Sequence, residues 1–396
     1  MHAENTNYIK SLSDKFYPEV KALRHYFHMN PELSFQEFGT AKKVAETLEA
    51  LGIETQTGIA KTGVVGLIRG AAQGPTVLLR ADMDALLLQE EAEVPYKSQT
   101  SGVMHACGHD GHTAGLLGAA MILNEMKDQL KGNVKLVFQP AEENEGGALP
   151  MIEAGVMENP KVDAAFGCHL WGNLKEGQVQ LKRGPMMASP DMFTIKITGK
   201  GGHASAPHLA IDPIVIAAQV ISEFQTIVSR RKDPVKPAVI SVSMIRGGET
   251  HNVIPNTVEM CGTIRVFDKE VRKWIPETME SVLRHVTEAN GASYDFYVEK
   301  RFPPLINDNA MTELVEKSAV KLFGSDRVEW TETPNMGGED FAYFAEHVPS
   351  AFFFVGIAPD EATPVSHHHP KFAWNDENLK VSMQTLAQVA IDYLNQ

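Results

Sequence analysis

The sequence contains only three cysteines, no block of basic residues and no apolar run long enough to cross a membrane. Three cysteines among 396 residues do not make a disulfide framework, which favours a reducing compartment. A net charge of −14 without a Lys/Arg block lacks the basic field of nucleic-acid binders. No segment reaches the ~18 apolar residues of a membrane span, and the first residues lack the apolar core of a secretory signal. We therefore expect a cytoplasmic protein that binds a small molecule, and neither nucleic acid nor a membrane.

The length of the chain and its patterning predict two domains, because one hydrophobic core stops growing at roughly 250–300 residues. The first half alternates helical and strand patterns, with a helix at 40–51, a strand at 75–84, a helix at 113–130 and strands at 133–140 and 162–170. Strands that alternate with helices are typical of a mostly parallel sheet covered on both faces. The first domain is therefore predicted to be α/β, with a mixed, mostly parallel sheet.

After Gly184 the pattern changes to the order strand, helix, strand, strand, helix, strand. This order is that of ferredoxin-like α+β domains. From Pro303 onward the earlier alternation resumes, with a helix near 314–323, a strand at 350–357 and a helix at 379–394. We predict a first domain formed by residues 1–187 and 303–396, and an inserted second domain at 188–302.

Four segments rich in possible metal ligands lie at strand ends of the first domain. A parallel sheet gathers its ligands at the carboxyl ends of its strands, so these segments are expected to meet. Taken alone, each has an ordinary explanation: a histidine-rich surface loop, a buried apolar cysteine such as Cys168, or a solvated acidic pair. Together, their thiol, imidazole and carboxylate groups are those that divalent transition ions bind. The segments are HACGHDGH (105–112), QPAEENEGG (139–147), GCHLWG (167–172) and SHHHPKF (366–372).

The acidic residues near these segments suggest different roles. In an extended segment the neighbouring side chains of Glu142 and Glu143 point to opposite sides, so one can bind metal while the other acts as a general base. Asp82 and Asp84 follow another strand, and Asp110 adjoins His109. Each of these aspartates either accepts a hydrogen bond from a metal-bound imidazole or serves as a turn or cap residue. The residues alone leave both interpretations open.

Other enzyme classes have weak support. GKGGHA (199–204) matches the dinucleotide fingerprint GxGxxA, but Pro207 interrupts the helix that should follow, and the segment belongs to the insert. No GxSxG elbow or GxxxxGK[ST] phosphate loop is present in the sequence. A cysteine nucleophile at Cys107, paired with His109, is an alternative, although it leaves the other three segments without a role.

Several longer motifs run along nearly the whole chain: HMNPELSFQE, LLRADMDAL, MHACGHDGHTAGLLG, FQPAEENEGGA, GCHLWG, GKGGHASAPH, IRGGETHNVIPNTVEMCGTIR, GGEDFAYF and HHPKF. In combination they resemble the metal-dependent amidohydrolases that include hippurate hydrolases, N-acetyl-diaminopimelate deacetylases and auxin–amino acid conjugate hydrolases. These are relatives of aminoacylase and of dinuclear metallo-carboxypeptidases. One departure is Leu87, where the family usually has proline.

The resemblance implies a dinuclear site and a shared active site. Glu142 would be the general base, and Asp82 is placed with it in the catalytic set. The insert resembles the family's dimerisation domain, so a homodimer or a dimer-based oligomer is expected. Within it, His203 matches a histidine that reaches the partner subunit's site, and Asn252 matches a substrate-contacting position. In SHHHPKF the family's ligand lies two residues before the proline, which gives the ligand set Cys107, His109, Glu143, His169 and His368.

The implied reaction is hydrolysis of the amide bond of an N-acyl amino acid, for example an acetyl or benzoyl derivative. Water activated by two divalent ions would attack the carbonyl, Glu142 would move the proton, and the metals with His203 would stabilise the oxyanion. Manganese or zinc is expected, with cobalt or nickel as alternatives. Two other hypotheses stay open: a dipeptidase or carboxypeptidase with the same site, and a catalytically silent metal-binding protein that kept the fold.

Overall fold

The computed structural model describes residues 2–360 and 363–396, and the chain divides into two compact units. The first unit comprises residues 1–184, 307–333 and 340–396, and the second comprises 185–306 and 334–339. The short segment 334–339, which was predicted to belong to the first domain, lies in the second unit. Among the described helices, none combines the length and the apolar character that a bilayer crossing requires.

The helices and strands of the described residues follow one another in an alternating order. The α-helices are α1 (His2–Met29), α2 (Phe38–Ala50), α3 (His109–Glu125), α4 (Ala148–Glu153), α5 (Pro213–Thr226), α6 (Lys269–Ala289), α7 (Asn309–Phe323), α8 (Ala342–His347) and α9 (Asn378–Leu394). The strands are β1 (Glu54–Ile59), β2 (Gly63–Arg69), β3 (Ala72–Asp82), β4 (Lys131–Gln139), β5 (Ala164–Lys175), β6 (Val179–Leu181), β7 (Gly184–Met187), β8 (Ser189–Thr198), β9 (Gly202–His203), β10 (Ala238–Arg246), β11 (Val253–Ile254), β12 (Thr257–Val266), β13 (Ser293–Glu299), β14 (Leu305–Asn307), β15 (Val328–Trp330) and β16 (Ser350–Ala358).

The first unit is built on an eight-stranded mixed sheet with the order β1-β2-β4-β3-β5-β16-β6-β15. Its centre, the strands β4, β3, β5 and β16, is parallel, and these strands carry long apolar runs because both faces of the sheet are covered. The antiparallel pairings lie toward the two sides of the sheet. The carboxyl ends of the four central strands therefore share one edge, and the predicted fold class is confirmed.

Helices α1, α3 and α9 pack closely against one another beside the sheet. A Cβ atom on Gly118 of α3 would lie 2.6 Å from Met383 Sδ of α9 and 3.0 Å from Val20 Cγ2 of α1, so this approach requires glycine. The sequence analysis placed the start of α3 near residue 113, whereas it begins at His109. It did not predict α1, whose Pro18 lies inside the helix, where proline normally disfavours a helical prediction.

The second unit contains a four-stranded antiparallel sheet with the order β10-β12-β8-β13, and α5 and α6 pack on it around a separate apolar core. This is the ferredoxin-like arrangement predicted for the insert. The GKGGHA segment forms the short strand β9, which pairs with β11, and a 3-10 helix at Pro207–Leu209 follows it. A dinucleotide-binding helix does not follow this segment, in agreement with the interpretation of Pro207.

Candidate metal centre

The structure brings the five predicted ligands together at the carboxyl edge of the large sheet. Cys107 precedes α3 and His109 begins it, Glu143 lies in the turn after β4, His169 lies in β5, and His368 lies in the loop after β16. The possible ligand atoms of Cys107, His109 and His169 lie within 4.8 Å of one another, and so do those of Cys107, Glu143 and His368. The Cys107 sulfur thus belongs to both groups.

His109 is oriented by the backbone and side chain of Asp84. Its Nδ1 donates to the Asp84 carbonyl oxygen at 2.9 Å and lies 3.2 Å from Asp84 Oδ1. This fixes the neutral ring with a lone pair on Nε2. Among the described residues, His109 Nε2 is buried and has no hydrogen-bond partner, and it lies 3.8 Å from Glu143 Oε1. A buried nitrogen without a partner, beside a carboxylate, fits a cation ligand.

His169 and His367 adopt opposite tautomers. His169 Nδ1 donates to the Leu170 carbonyl at 2.7 Å, which leaves the lone pair of Nε2 facing Cys107 Sγ at 3.4 Å. A backbone N–H can only donate, so the bond from Gly172 N to His367 Nε2 at 2.9 Å leaves the proton of His367 on Nδ1. That N–H faces Cys107 Sγ at 4.0 Å. His169 is thus arranged as a ligand, whereas His367 is arranged as a hydrogen-bond donor.

The next two histidines of the loop, His368 and His369, have different partners. His368 Nε2 lies 3.2 Å from Glu143 Oε1, and its backbone has a φ of 56°, which turns the chain at this residue. Both side chains are exposed, and His369 Nδ1 accepts a hydrogen bond from Lys371 N at 3.1 Å. These contacts favour His368 as the ligand from this loop over both His367 and His369.

A single carboxylate, that of Asp84, holds the Glu142–Glu143 turn. It accepts hydrogen bonds from Glu142 N at 3.1 Å, Glu143 N at 3.0 Å and Ser34 Oγ at 2.7 Å, in addition to its contact with His109. Ala141 has a φ of 57°, so the segment turns instead of running extended as the sequence analysis assumed. An oxygen of each glutamate lies within 4.8 Å of a His109 nitrogen. Asp84 therefore positions both the predicted base and one predicted ligand.

Asp82 has different partners. Its Oδ1 accepts from His112 Nδ1 at 2.6 Å, its Oδ2 accepts from Arg80 Nη1 at 2.7 Å, and Oδ2 lies 3.8 Å from His109 Nε2. His112 Nε2 accepts from Leu170 N at 2.9 Å, so both nitrogens of this ring have protein partners. The sequence analysis did not single out His112, although its position three residues after His109 in α3 places both on one helix face. Between the two aspartates, Asp84 is the hydrogen-bond acceptor for His109.

The charges around these residues favour a cation. Burial alone would lower the pKa of His109, but the carboxylates of Asp82, Asp84 and Glu143 raise it to about 10. Burial, and then Glu143 and Glu142, raise the pKa of the Cys107 thiol well above its usual range. A thiol in such surroundings becomes a thiolate only beside a positive ion, which argues against the cysteine nucleophile. Burial lowers the pKa of His169 well below its ordinary value, so this ring is neutral.

The two predicted residues of the insert belong to the second unit, whereas the five ligands belong to the first. His203 is exposed in β9, and its Nδ1 accepts from Ser205 N at 3.1 Å. The proton of the neutral ring is therefore on Nε2. Asn252 is also exposed, its Oδ1 accepts from Thr250 Oγ1 at 3.1 Å, and its carbonyl accepts from Ala204 N at 3.0 Å. Leu87, where the family usually has proline, is 79% exposed.

Comparison with known proteins identifies the family. Residues 78–392 match Peptidase family M20/M25/M40. The N-acyl-L-amino acid amidohydrolase of Geobacillus stearothermophilus is 47% identical over 300 residues, which cover 76% of this chain and 80% of that protein. Thermostable carboxypeptidase 2 of Saccharolobus solfataricus is 42% identical over 378 residues, 94% of this chain and 95% of that protein. The crystal structure of the Bacillus subtilis YXEP protein, a dinuclear metal binding peptidase, is similar with a TM-score of 0.83 and 38% identity, and covers 96% of this chain and 99% of that one. The family resemblance is thereby confirmed, and the chain belongs to Peptidase family M20/M25/M40.

Proposed function

We propose that this enzyme hydrolyses the amide bond of N-acyl amino acids and releases a carboxylic acid and a free amino acid. Membership of the family makes the protein a hydrolase that acts on amides. The observation that carries the proposal is the group of ligand atoms around Cys107, in which Nδ1 of His109 and of His169 donates to a backbone carbonyl and leaves Nε2 as the possible ligand atom. The 47% identical amidohydrolase from Geobacillus stearothermophilus supports N-acyl amino acids as the substrate class.

The residues that would hold two divalent ions are Cys107, His109, Glu143, His169 and His368. Bound there, the ions would polarise the amide carbonyl and lower the pKa of water to near neutrality. Manganese or zinc is our proposal for the ions, with cobalt or nickel as alternatives, because thiolate, imidazole and carboxylate ligands suit all four.

Glu142 is the proposed general base. Its carboxylate takes a proton from the attacking water and then gives that proton to the nitrogen of the leaving amino acid. The position of Glu142 is supported by the hydrogen bond from its backbone N–H to Asp84 and by the 93% burial of the residue. A buried base keeps the transferred proton from exchanging with solvent. The net reaction adds one water across the amide bond and needs no other nucleophile.

His203 is the proposed donor to the carbonyl oxygen, where negative charge develops as water attacks. The hydrogen bond from Ser205 N to His203 Nδ1 supports this role because it leaves Nε2–H as the donor. In a homodimer, His203 would come from the partner's insert, and Asn252 would contact the substrate. Asp82 would act by holding His112 and Arg80 in place next to the ligands.

Carboxypeptidase or dipeptidase activity is the second candidate. The 42% identical carboxypeptidase from Saccharolobus solfataricus favours it, and a dipeptide offers the same amide bond with an aminoacyl group, which carries a free amino group, in place of the acetyl or benzoyl group. A comparison of kcat/KM for the N-acetyl and N-benzoyl derivatives of one amino acid with kcat/KM for free dipeptides that end in the same amino acid separates the two functions.

The test begins with metal-free protein. We expect no amine release from N-acyl amino acids until manganese or zinc is added, because the attacking water would be activated by ions bound to the proposed ligands. Glu142→Gln protein, prepared in parallel, controls for contaminating hydrolases. Full activity in rigorously metal-free protein would contradict the mechanism. Metal binding without hydrolysis of any N-acyl amino acid or dipeptide would support the silent metal-binding alternative.

A further inference from the structure

A fully buried arginine contacts the first turn of α3 through Asp110, the residue that follows His109. Arg24 of α1 donates from Nε to Asp110 Oδ2 at 2.8 Å and from Nη1 to Asp376 Oδ1 at 3.0 Å, and its side chain is 0% exposed. Its guanidinium carbon lies 4.3 Å from the Tyr96 ring centre and 4.5 Å from that of Trp374. Two ion pairs and two aromatic faces thus fix the plane of this guanidinium.

His28, one helical turn after Arg24, reaches the same aspartate. His28 Nδ1 lies 2.8 Å from Asp110 Oδ2, and His28 Nε2 lies 3.2 Å from Glu90 Oε1. Both ring nitrogens face carboxylates, so both carry protons and the buried ring is an imidazolium. Burial lowers the pKa of His28, but Asp110 and Glu90 outweigh it and raise the pKa above its ordinary value. Asp110 Oδ2 therefore accepts two charged hydrogen bonds from α1.

Asp110 is adjacent in sequence to His109, in the first turn of α3. This turn has no side-chain cap, and it begins after Gly108, which has a φ of 94°. On the sheet side, Asp84 holds His109 and Asp82 holds His112. The first turn of α3 also contacts charged side chains of α1, namely Arg24 and His28, through Asp110.

We propose that Arg24 and His28 are positioning residues that hold the first turn of α3 through Asp110, and thereby fix His109 and Cys107 for metal binding. The inference rests on the proposed metal site. Groups that orient ligands from outside the coordination sphere typically change metal affinity by about 10–100-fold when they are altered. A merely structural ion pair would lower the stability of the fold without changing metal affinity.

Two substitutions test the proposal. His28→Gln keeps a similar shape but can donate to only one of the two carboxylates, and Arg24→Lys keeps the charge but loses the planar, two-armed contact. The matched control is His347→Gln, the same change on another helix of the first unit, because His347 Nδ1 contacts the Tyr343 carbonyl oxygen at 2.8 Å and lies outside the Arg24 cluster. A second control, Lys135→Met, removes a buried ammonium that donates to the carbonyls of Val156, Glu158 and Pro160, in a part of the first unit away from the ligands.

The measurement is competition between the folded metal-free protein and a chromophoric chelator for zinc or manganese, together with the melting temperature of each metal-free variant. We expect His28→Gln and Arg24→Lys to weaken metal binding by about 10–100-fold. Saturating metal should then restore most of kcat, with KM for the substrate unchanged. His347→Gln should bind metal like the unchanged protein, and Lys135→Met should melt earlier without loss of affinity.

Equal affinities in the two test variants, the controls and the unchanged protein would overturn the proposal. So would failure of both test variants to fold, since the ion pairs would then serve folding and not the ligands. If the unchanged protein itself binds no divalent ion, the proposed function is wrong. Titration of the unchanged protein alone therefore separates failure of the proposed function from failure of the positioning proposal.

Discussion

At the scale of single residues, hydrogen bonds to the backbone decide which histidines are available to metals. His109 and His169 donate from Nδ1 to carbonyl oxygens, so their Nε2 atoms remain as acceptors. His367 and His369 instead accept from backbone N–H groups. The sequence predicted that ligands lie in HACGHDGH and SHHHPKF, but the choice within SHHHPKF came only from the family resemblance. The tautomers of His109 and His367 depend on Asp84 and Gly172, which lie 25 and 195 residues away along the chain, and composition and spacing do not reveal such partners.

The neighbouring glutamates are expected to separate by role. Glu142→Gln keeps size and shape but cannot accept a proton, so kcat should fall by at least the ~10²–10⁴-fold typical of acid–base catalysis while metal stays bound. Glu143→Gln should instead lose metal affinity, because a neutral amide replaces an anionic ligand. Metal analysis of the two purified variants, with kinetics at saturating metal, checks both expectations. The reverse pattern would exchange the two assignments.

Asp84 has more hydrogen bonds than any ordinary turn aspartate requires. Asp84→Asn presents an amide to groups that all donate, namely Ser34 Oγ, the N–H groups of Glu142 and Glu143, and His109 Nδ1. We expect a loss of about 1–3 kcal/mol in the free energy of unfolding, together with weaker metal binding. Urea unfolding of the metal-free protein measures the first effect. Asp14→Asn, which alters an exposed pair with Lys380, should cost less than about 1 kcal/mol.

At the scale of helices and strands, the sequence predicted the parts of the first unit that carry continuous apolar runs. The strands that end at Asp82 and Gln139 and the all-buried strand β16 were found at their predicted places. Helix α1 was missed because it contains Pro18 and because a charged residue such as Arg24 usually indicates a solvent-facing position. Its burial depends on Asp110 and Asp376, which lie 86 and 352 residues away along the chain.

The first turn of helix α3 is closely packed at Gly111. A Cβ on Gly111 would lie 2.5 Å from Leu170 Cδ1 and 2.5 Å from Trp374 Cζ2. Gly111→Ala should therefore destabilise the protein by about 1–3 kcal/mol, despite the better helix propensity of alanine, and should weaken metal binding by displacing His109.

Gly115→Ala on the same helix is the control for this prediction. Its Cβ would meet Ser382 Oγ at 2.7 Å, and that hydroxyl ends a short side chain that can rotate away. The loss of stability should be smaller, and metal affinity should not change. Unfolding curves and chelator competition for both variants make the comparison. Equal effects of the two alanines would show that the tight contact at Gly111 does not hold the metal-binding turn.

At the scale of the whole molecule, the five ligands belong to the first unit and His203 belongs to the second. Sequence patterning predicted both architectures, because each unit has its own strand order and its own apolar core. The pattern could not predict the proposed role of His203 in catalysis, since a histidine in a glycine-rich strand end has an ordinary structural explanation. That role came from the family resemblance, and in the proposed homodimer a second chain would bring the imidazole to the metals.

Complementation between two inactive variants tests this arrangement. His203→Ala should lose the donor to the developing oxyanion, and Glu142→Gln should lose the base, so each homodimer should be nearly inactive. In a mixed dimer, one site combines an intact Glu142 with an intact His203 from the partner chain. We therefore expect activity to return when the two variants are unfolded and refolded together, up to about a quarter of the unchanged protein's rate if chains pair at random, because half of the dimers are then mixed and each has one working site. Separately refolded variants, mixed afterwards, are the control for slow exchange. Heterodimers shown by differential tags that stay as inactive as their parents would rule out a site shared between subunits.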